Sequence, residues 1–313
     1  MRLLPLFVAA QENVLLGGQA VLEGVMMRSP QAFAVAVRRP DGEIVYLSER
    51  APSWSARRRL LRLPFLRGVS TLFQSLGIGL RALNFSAEQA LPEEEAAGAS
   101  SAKTGAALWI SVLGALVVGV ALFFALPLAL TEGLKRLWPG IGGGIAYNLI
   151  DGALRGAFFL AYIAAIRMVK DIGRLFRYHG AEHKVVHAFE AKVPLDVEHA
   201  QRFSVLHPRC GTSFLLFVMV VSILVFCCVP SAWPAWGKGL ARLALLPLVV
   251  GLSYELLRFS ARRGGAAGRA LVAPGLWLQR LTTGEPDDGM VQVALAAFHR
   301  AAELEGGAAS VVL

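Results

Sequence analysis

The sequence predicts a mainly α-helical membrane protein: about four transmembrane helices, a small N-terminal β-rich cytoplasmic unit and an interfacial amphipathic helix. Three observations carry this. Of the 313 residues 55% are hydrophobic and 17% charged, with a mean hydropathy of +0.55, whereas soluble domains carry about 25% charged residues. Four apolar-dominated runs follow residue 105: Ala106–Leu130, Ile145–Ile166, Ser213–Val229 and Leu240–Leu257. The cationic residues alternate between the connecting segments. Residues 1–105, 167–212 and 258–313 hold 26 Lys/Arg, and 131–144 and 230–239 hold 3. The positive-inside rule then places both termini and segment 167–212 in the cytoplasm. Membrane orientation accounts for the net charge of +9, so lipid is the expected partner and nucleic acid is not.

In chain order, MRLLPLFVAAQ has one charge, Arg2, and an apolar core shorter than the roughly 15–30 residues of a signal peptide, so no cleavage is expected. Residues 1–55 form the N-terminal unit. GGQAVLEGVMMRSP is Gly-rich, then apolar, and ends in a Ser29-Pro30 turn signal. AFAVAVRR and IVYLSE flank a Pro-Asp-Gly turn and read as a hairpin. Glu23, inside an apolar stretch, is either a solvated strand position or a carboxylate aimed at a site. Residues 56–105 hold a basic, then apolar stretch with Arg67 and Arg81, suited to a helix on an anionic membrane face, and the small, acidic linker 86–104.

The four runs make up a membrane domain, 106–257, with a His/Cys-rich cytoplasmic loop at 167–212. Asp151 and Arg155, four apart, share a helix face and can pair. No internal repeat is visible, which disfavours an inverted-repeat transporter. The three Cys do not form a disulfide framework: Cys227 and Cys228 are adjacent in an apolar run and read as packing residues. In the tail, 258–313, Thr-Gly-Glu-Pro-Asp-Asp signals a turn and helix start. The amphipathic helix after it is expected to pack on the cytoplasmic unit.

Five of the six His lie between Tyr178 and Cys210. His179-Gly-Ala-Glu182-His183 is an H-x-x-E-H pattern. At about 100° per residue, His179, Glu182, His183, His187 and Glu190 share one helix face. Two imidazoles at i and i+4 can chelate a divalent ion, and a carboxylate beside them can take a proton from water activated there. The pattern is also that of inverted zinc peptidases, although a solvated helix face can produce it. A second cluster, His207-Pro-Arg209-Cys210-Gly, offers further zinc ligands on a turn fixed by Pro208 and Gly211. If the flanking spans are antiparallel neighbours, the two clusters meet at one membrane face. His187 is either a supporting partner or a surface residue, and His199 is expected to be solvated. Lys184 and Tyr178 could be interfacial anchors.

The segments GGQAVLEGVMMRSP, YHGAEHKVVHAFE, HPRCGTSF and PGLWLQRLTTGEPDD, in this order, resemble the bacterial DUF1385 (YqhQ-like) membrane proteins. The resemblance implies a multi-pass protein of the bacterial inner membrane and a metal-dependent enzyme. It implies motif status for His179, Glu182, His183, His187, His207, Arg209 and Cys210, and for Glu23, Met26, Met27 and Arg28.

The sequence therefore supports two main readings. In the first, a zinc-dependent membrane hydrolase works at the cytoplasmic face on a peptide or lipid-linked bond. Its metal set is drawn from His179, His183, His207 and Cys210. Glu182 is the general base, Arg209 steadies an anionic group and His187 assists. In the second, all four metal residues close the coordination sphere. The ion is then structural, and the protein is a scaffold or regulator that recruits a cytoplasmic protein partner. A transporter ranks third.

Overall fold

The structure, a computed structural model, describes residues 17–54, 58–90, 101–142, 144–262 and 265–305. The leader-like start and the middle of the acidic linker lie outside them. Strands β1 (Gly17–Val21), β2 (Gly24–Arg28), β3 (Ala32–Arg38) and β4 (Ile44–Arg50) form an antiparallel meander. The helices are α1 (Leu66–Ala90), α2 (Ser101–Val120), α3 (Leu126–Leu137), α4 (Gly144–Ile166), α5 (Lys170–Glu190), α6 (Val197–Gln201), α7 (Thr212–Phe226), α8 (Ala235–Arg262), α9 (Gly265–Thr282) and α10 (Asp288–Leu304).

The β3–β4 hairpin turns at Pro-Asp-Gly. Gly42 there takes φ +92°, a region glycine enters without steric cost. β2 and β3 are apolar without interruption because both faces of the sheet are covered. Side-chain alternation sends Val25, Met27, Ala34 and Ala36 into a core with α5 and α10. The other face sends Met26, Phe33, Val35 and Val37 against Ile78 and Ala82 of α1. Met290, Val291, Ala294 and Phe298 of α10 fill the first core, so strands from the N-terminal part and the last helix share one interior. Asp287 caps α10, accepting from Met290 N at 2.9 Å, where the sequence signals a helix start.

Helix α1 buries its small and polar side, including Gly68, Ser70, Gln74 and Gly79. It exposes Leu66, Leu72, Phe73 and Leu76, each 37–60% accessible. The sequence suggested that its basic residues face headgroups. Instead Arg67 pairs with Glu255 of α8 and Arg81 with Glu49 of β4, leaving an apolar side outward.

Three helices among the described residues are long and apolar enough to cross a membrane: Ile110–Leu137, Gly144–Ile166 and Ala235–Ser260. The first joins α2 and α3 through a π-turn at Ala121–Ala125. Pro127, just beyond that turn, lacks an N–H and would clash with the carbonyl four residues back, and the wider turn accommodates it. The fourth expected span, Ser213–Val229, is a helix of only 15 residues, Thr212–Phe226, where about 20 are needed. The chain breaks into turns at Cys227–Val229 ahead of Pro230, and the residue before a proline disfavours helix.

The α2–α4 and α7–α8 hairpins meet along buried charges. Asp151 bonds Arg155 Nη2 at 2.9 Å, as the spacing predicted, and also Arg242 Nη1 of α8 at 3.0 Å. Arg155 lies over the Phe124 and Phe226 rings, 4.9 and 5.0 Å from their centroids. Nearer the outer turns, Lys238 of α8 pairs with Glu132 of α3 and donates to Tyr147 Oη of α4 at 3.1 Å. Cys227 and Cys228 sit by these turns, and Cys228 is exposed rather than packed. One carboxylate thus pairs with two guanidinium groups from different helices, among apolar surroundings. Asp151→Ala leaves both unpaired and is expected to cost about 3–5 kcal/mol. The effect is read as a lowered unfolding midpoint in detergent, and an unchanged midpoint contradicts the arrangement.

Candidate functional site

Helix α5 lies against β1 on one side and the turn after α9 on the other, and its polar face is buried between them. Gly18 N of β1 donates to Glu182 Oε1 at 2.8 Å. The absence of a side chain at Gly18 permits this, since an added methyl would press on the Met26 carbonyl and Glu182 Cγ. On the other side Gly180 packs on the Gly284 carbonyl, with no space for a Cβ. Gly284 N donates to Phe176 O at 2.9 Å.

The imidazoles form a file. Ring centroids are 4.4 Å apart for His179–His183, 5.6 Å for His183–His207 and 4.4 Å for His187–His207. Backbone carbonyls fix the first two tautomers. His179 Nδ1 donates to Thr282 O at 2.8 Å and His183 Nδ1 to Val205 O at 2.5 Å. Both Nε2 lone pairs then point away from these anchors, the arrangement that orients metal-binding imidazoles. His179 Nε2 is 3.2 Å from Cys210 Sγ. Among the described residues, His183 Nε2 and His207 Nε2 are both buried without a hydrogen-bond partner.

Two groups result. One ligand atom each from His179, His183 and Cys210 lie within 4.8 Å of one another, and the same holds for His187, Glu190 and His207. The four residues expected to share an ion are therefore divided, with His207 in the second group. His207 Nδ1 accepts from Arg209 N at 3.2 Å. A neutral ring so bonded carries its proton on Nε2, which faces Glu190 Oε1 at 3.3 Å. Arg209 also pairs with Glu190. His187 Nε2 donates to Leu206 O at 2.9 Å, and its ring stacks on Phe203.

The electrostatics follow from burial. Desolvation lowers the His183 pKa to about 2, with His179 adding to the effect, so the ring is neutral at physiological pH. Burial lowers His187. It raises Glu182 against the opposing effects of His179 and the Gly18 N–H. It also pushes the Cys210 thiol up to about 12, reinforced by Glu182, while Thr212 pulls the other way. Burial would raise Glu190 too, but the bonds from His207 and Arg209 outweigh it and the net shift is downward.

Several residues have structural roles instead. Glu23, at φ +52° in the β1–β2 turn, binds Arg174 of α5 and accepts from Tyr178 Oη at 3.2 Å. It ties the hairpin to α5 and is neither free in solvent nor aimed at the cluster. Tyr178 is 1% exposed and Lys184 bonds Gln201 O and Glu285, so neither is a membrane anchor. His199 pairs with Asp196 beside the helix α6 cap, away from the cluster. The role of Gln279 was not visible in sequence. It is fully buried, accepts from His207 N at 2.8 Å and donates to His207 O at 2.9 Å. Its presence in PGLWLQRLTTGEPDD was the available signal. That segment holds the turn of the second cluster through Gln279 and orients His179 through Thr282.

Both groups open onto a cleft of about 920 Å³ between the sheet, α1, α5 and the starts of α7 and the return of α8, with Arg28, Ser75 and Tyr254 on its far wall. Fold and site together define a helical protein with three helices long and apolar enough to cross a membrane and a sheet-based unit that carries a His/Cys/Glu cluster in a cleft. A family described as "Protein of unknown function (DUF1385)" matches residues 63–304, and the chain belongs to that family. It is 36% identical over 306 residues to "Uncharacterized protein YqhQ" of Bacillus subtilis (strain 168), covering 92% of each chain. No solved structure matches it.

Gln279→Ala removes the side-chain amide that bonds both the N–H and the carbonyl of buried His207, leaving only Cys210 N on that carbonyl. We expect a loss of about 1–3 kcal/mol, measured by thermal unfolding. Wild-type stability would show that the clamp does not hold this turn.

Proposed function

We propose that this protein is a zinc-dependent hydrolase of the bacterial inner membrane, working at the cytoplasmic face. The observation that carries the reading is the convergence of three ligand atoms, from His179, His183 and Cys210, beside a buried carboxylate at the edge of a large cleft. The residues fit such an ion. In a tetrahedral zinc site, Zn–N bonds of about 2.0–2.1 Å and Zn–S bonds of about 2.3 Å place donor atoms about 3.4–3.8 Å apart, near the 3.2 Å between His179 Nε2 and Cys210 Sγ. The buried, unpartnered His183 Nε2 is a group that a ligand would satisfy. Three protein ligands leave a fourth position open, the pattern of catalytic rather than structural sites.

Bound there, zinc supplies Lewis acidity and an activated water. The chain's own groups supply the rest. Glu182, held in place by the Gly18 N–H, is the proton acceptor. His207, with its N–H toward Glu190, is a proton-carrying group rather than a ligand, and His187 packs it in place. Arg209, shared with Glu190 and half-exposed, faces the cleft for an anionic group. The scaffold reading requires His207 in the coordination sphere, and its bond from Arg209 N argues against that.

The membrane placement belongs to the same proposal. Both hairpins leave from and return to the sheet-based unit, and their far ends meet through Lys238 and Glu132. We therefore read α7 as a fourth, short crossing of about 22 Å, with both termini cytoplasmic as the charge partition suggests. The exposed apolar side of α1 rests in the interface.

Metal analysis of purified full-length protein is expected to give one zinc per chain. His183→Ala and Cys210→Ser should lose it, while His207→Ala and Glu182→Gln retain it. Glu182→Gln should abolish hydrolysis across a panel of lipid-ester and peptide substrates. Loss of zinc in His207→Ala would favour a closed structural site, and no zinc in any preparation would overturn the metal reading.

A further inference from the structure

We propose that the cleft beside His179, His183 and Cys210 binds an amphiphile carrying a phosphate group, with Arg28 as the residue that recognises the phosphate. The proposal rests on the hydrolase reading for its significance, but its observations are separate. Arg28 ends β2 and projects on the same side of the sheet as Met26, toward α1. Its Nη1 donates to Ser75 Oγ at 2.8 Å, and both residues line the cleft. Among the described residues it forms no ion pair. Arg67, Arg81, Arg174, Arg177 and Arg209 each face a carboxylate. Burial disfavours the charged form of Arg28, yet a guanidinium stays protonated in proteins. A partly buried cation without a counter-ion is costly, and an anion entering the cleft removes that cost.

The chemistry of the walls narrows the anion. A guanidinium offers a planar fork suited to two oxygens of a phosphate, and the hydroxyl-bearing residues Ser75, Thr71 and Tyr254 also line the cleft. A volume of about 920 Å³ is at the upper end of ligand pockets and far exceeds a phosphate ion. Ile78, Leu175, Phe176 and Leu215 line the remainder. Leu215 belongs to the apolar helix α7 and is 45% exposed, so the cleft reaches the apolar surface of the membrane helices. A phosphate at Arg28 with a hydrocarbon part along these residues fills both halves.

The test titrates full-length protein in non-ionic detergent with dihexanoyl phosphatidate, dihexanoylglycerol and inorganic phosphate, with zinc content measured on every sample. Phosphatidate is expected to bind at least about 10-fold more tightly than either of the others. Arg28→Ala should weaken it about 10-fold to 100-fold, the scale of a hydrogen bond to a charged group, with Arg28→Lys between. Arg28→Gln serves in place of Arg28→Ala should the latter not fold. Zinc content is expected to be unchanged in all three. Undiminished phosphatidate binding in these variants, or equal binding of dihexanoylglycerol, overturns the proposal. Equal binding of inorganic phosphate overturns the amphiphile. Arg28-dependent phosphatidate binding by protein that holds no zinc would support the phosphate site and contradict the hydrolase reading instead.

Discussion

The structure depends on how one polar helix face is buried. Helix α5 carries His179, Glu182, His183 and His187 into the interior, and buried polar atoms are costly unless bonded. Each is met by a backbone group from a distant part of the chain. Gly18 N meets Glu182, Thr282 O meets His179, Val205 O meets His183 and Leu206 O meets His187. The sheet, the 205–210 turn and the α9–α10 turn are therefore held around α5 by the same bonds that set the site's tautomers. Among the described residues, His183 Nε2 faces the cluster with no partner, and His207 Nε2 and Thr282 Oγ1 close by also have none.

The membrane helices solve a related problem with charges. Asp151 serves two arginines from different hairpins, and aromatic rings take part of the remaining field. A buried ion network of this kind is weak evidence for stability gained over an apolar core, but it fixes which helices are neighbours. It meets α7 at its far end, through Phe226, while Gly275 of α9 packs on Ser213 at the start of α7, beside Cys210. The exposed apolar side of α1 adjoins the cleft, which Ser75 and Ile78 of the same helix help to line.

Much of this was legible in the sequence, and the reasons differ by element. The apolar runs gave three helices of spanning length directly, because composition alone sets that property. The fourth came out short because Pro230 and the turn before it end the helix early, a local effect that a hydropathy average smooths over. The shared face of His179, Glu182 and His183 followed from helical period. The division of His207 from Cys210 did not. Three residues apart on a tight turn, they point to different partners, and the deciding contact is a main-chain bond from Arg209 N that no side-chain pattern encodes. The roles of Gln279 and Thr282 were hidden for the same reason, since they act on His207 and His179 across more than 70 residues of chain. Arg28 was visible only as part of a motif, and its lack of a carboxylate emerges from packing.

The most direct test of the central claim is X-ray absorption at the zinc edge on the purified full-length protein. Coordination by His179, His183 and Cys210 with an open fourth position predicts one sulfur at about 2.3 Å, two imidazole nitrogens at about 2.0–2.1 Å and one further light, non-imidazole atom. Three imidazoles with one sulfur would bring His207 into the sphere and close it, and a sphere without sulfur would remove Cys210. Either result contradicts the account.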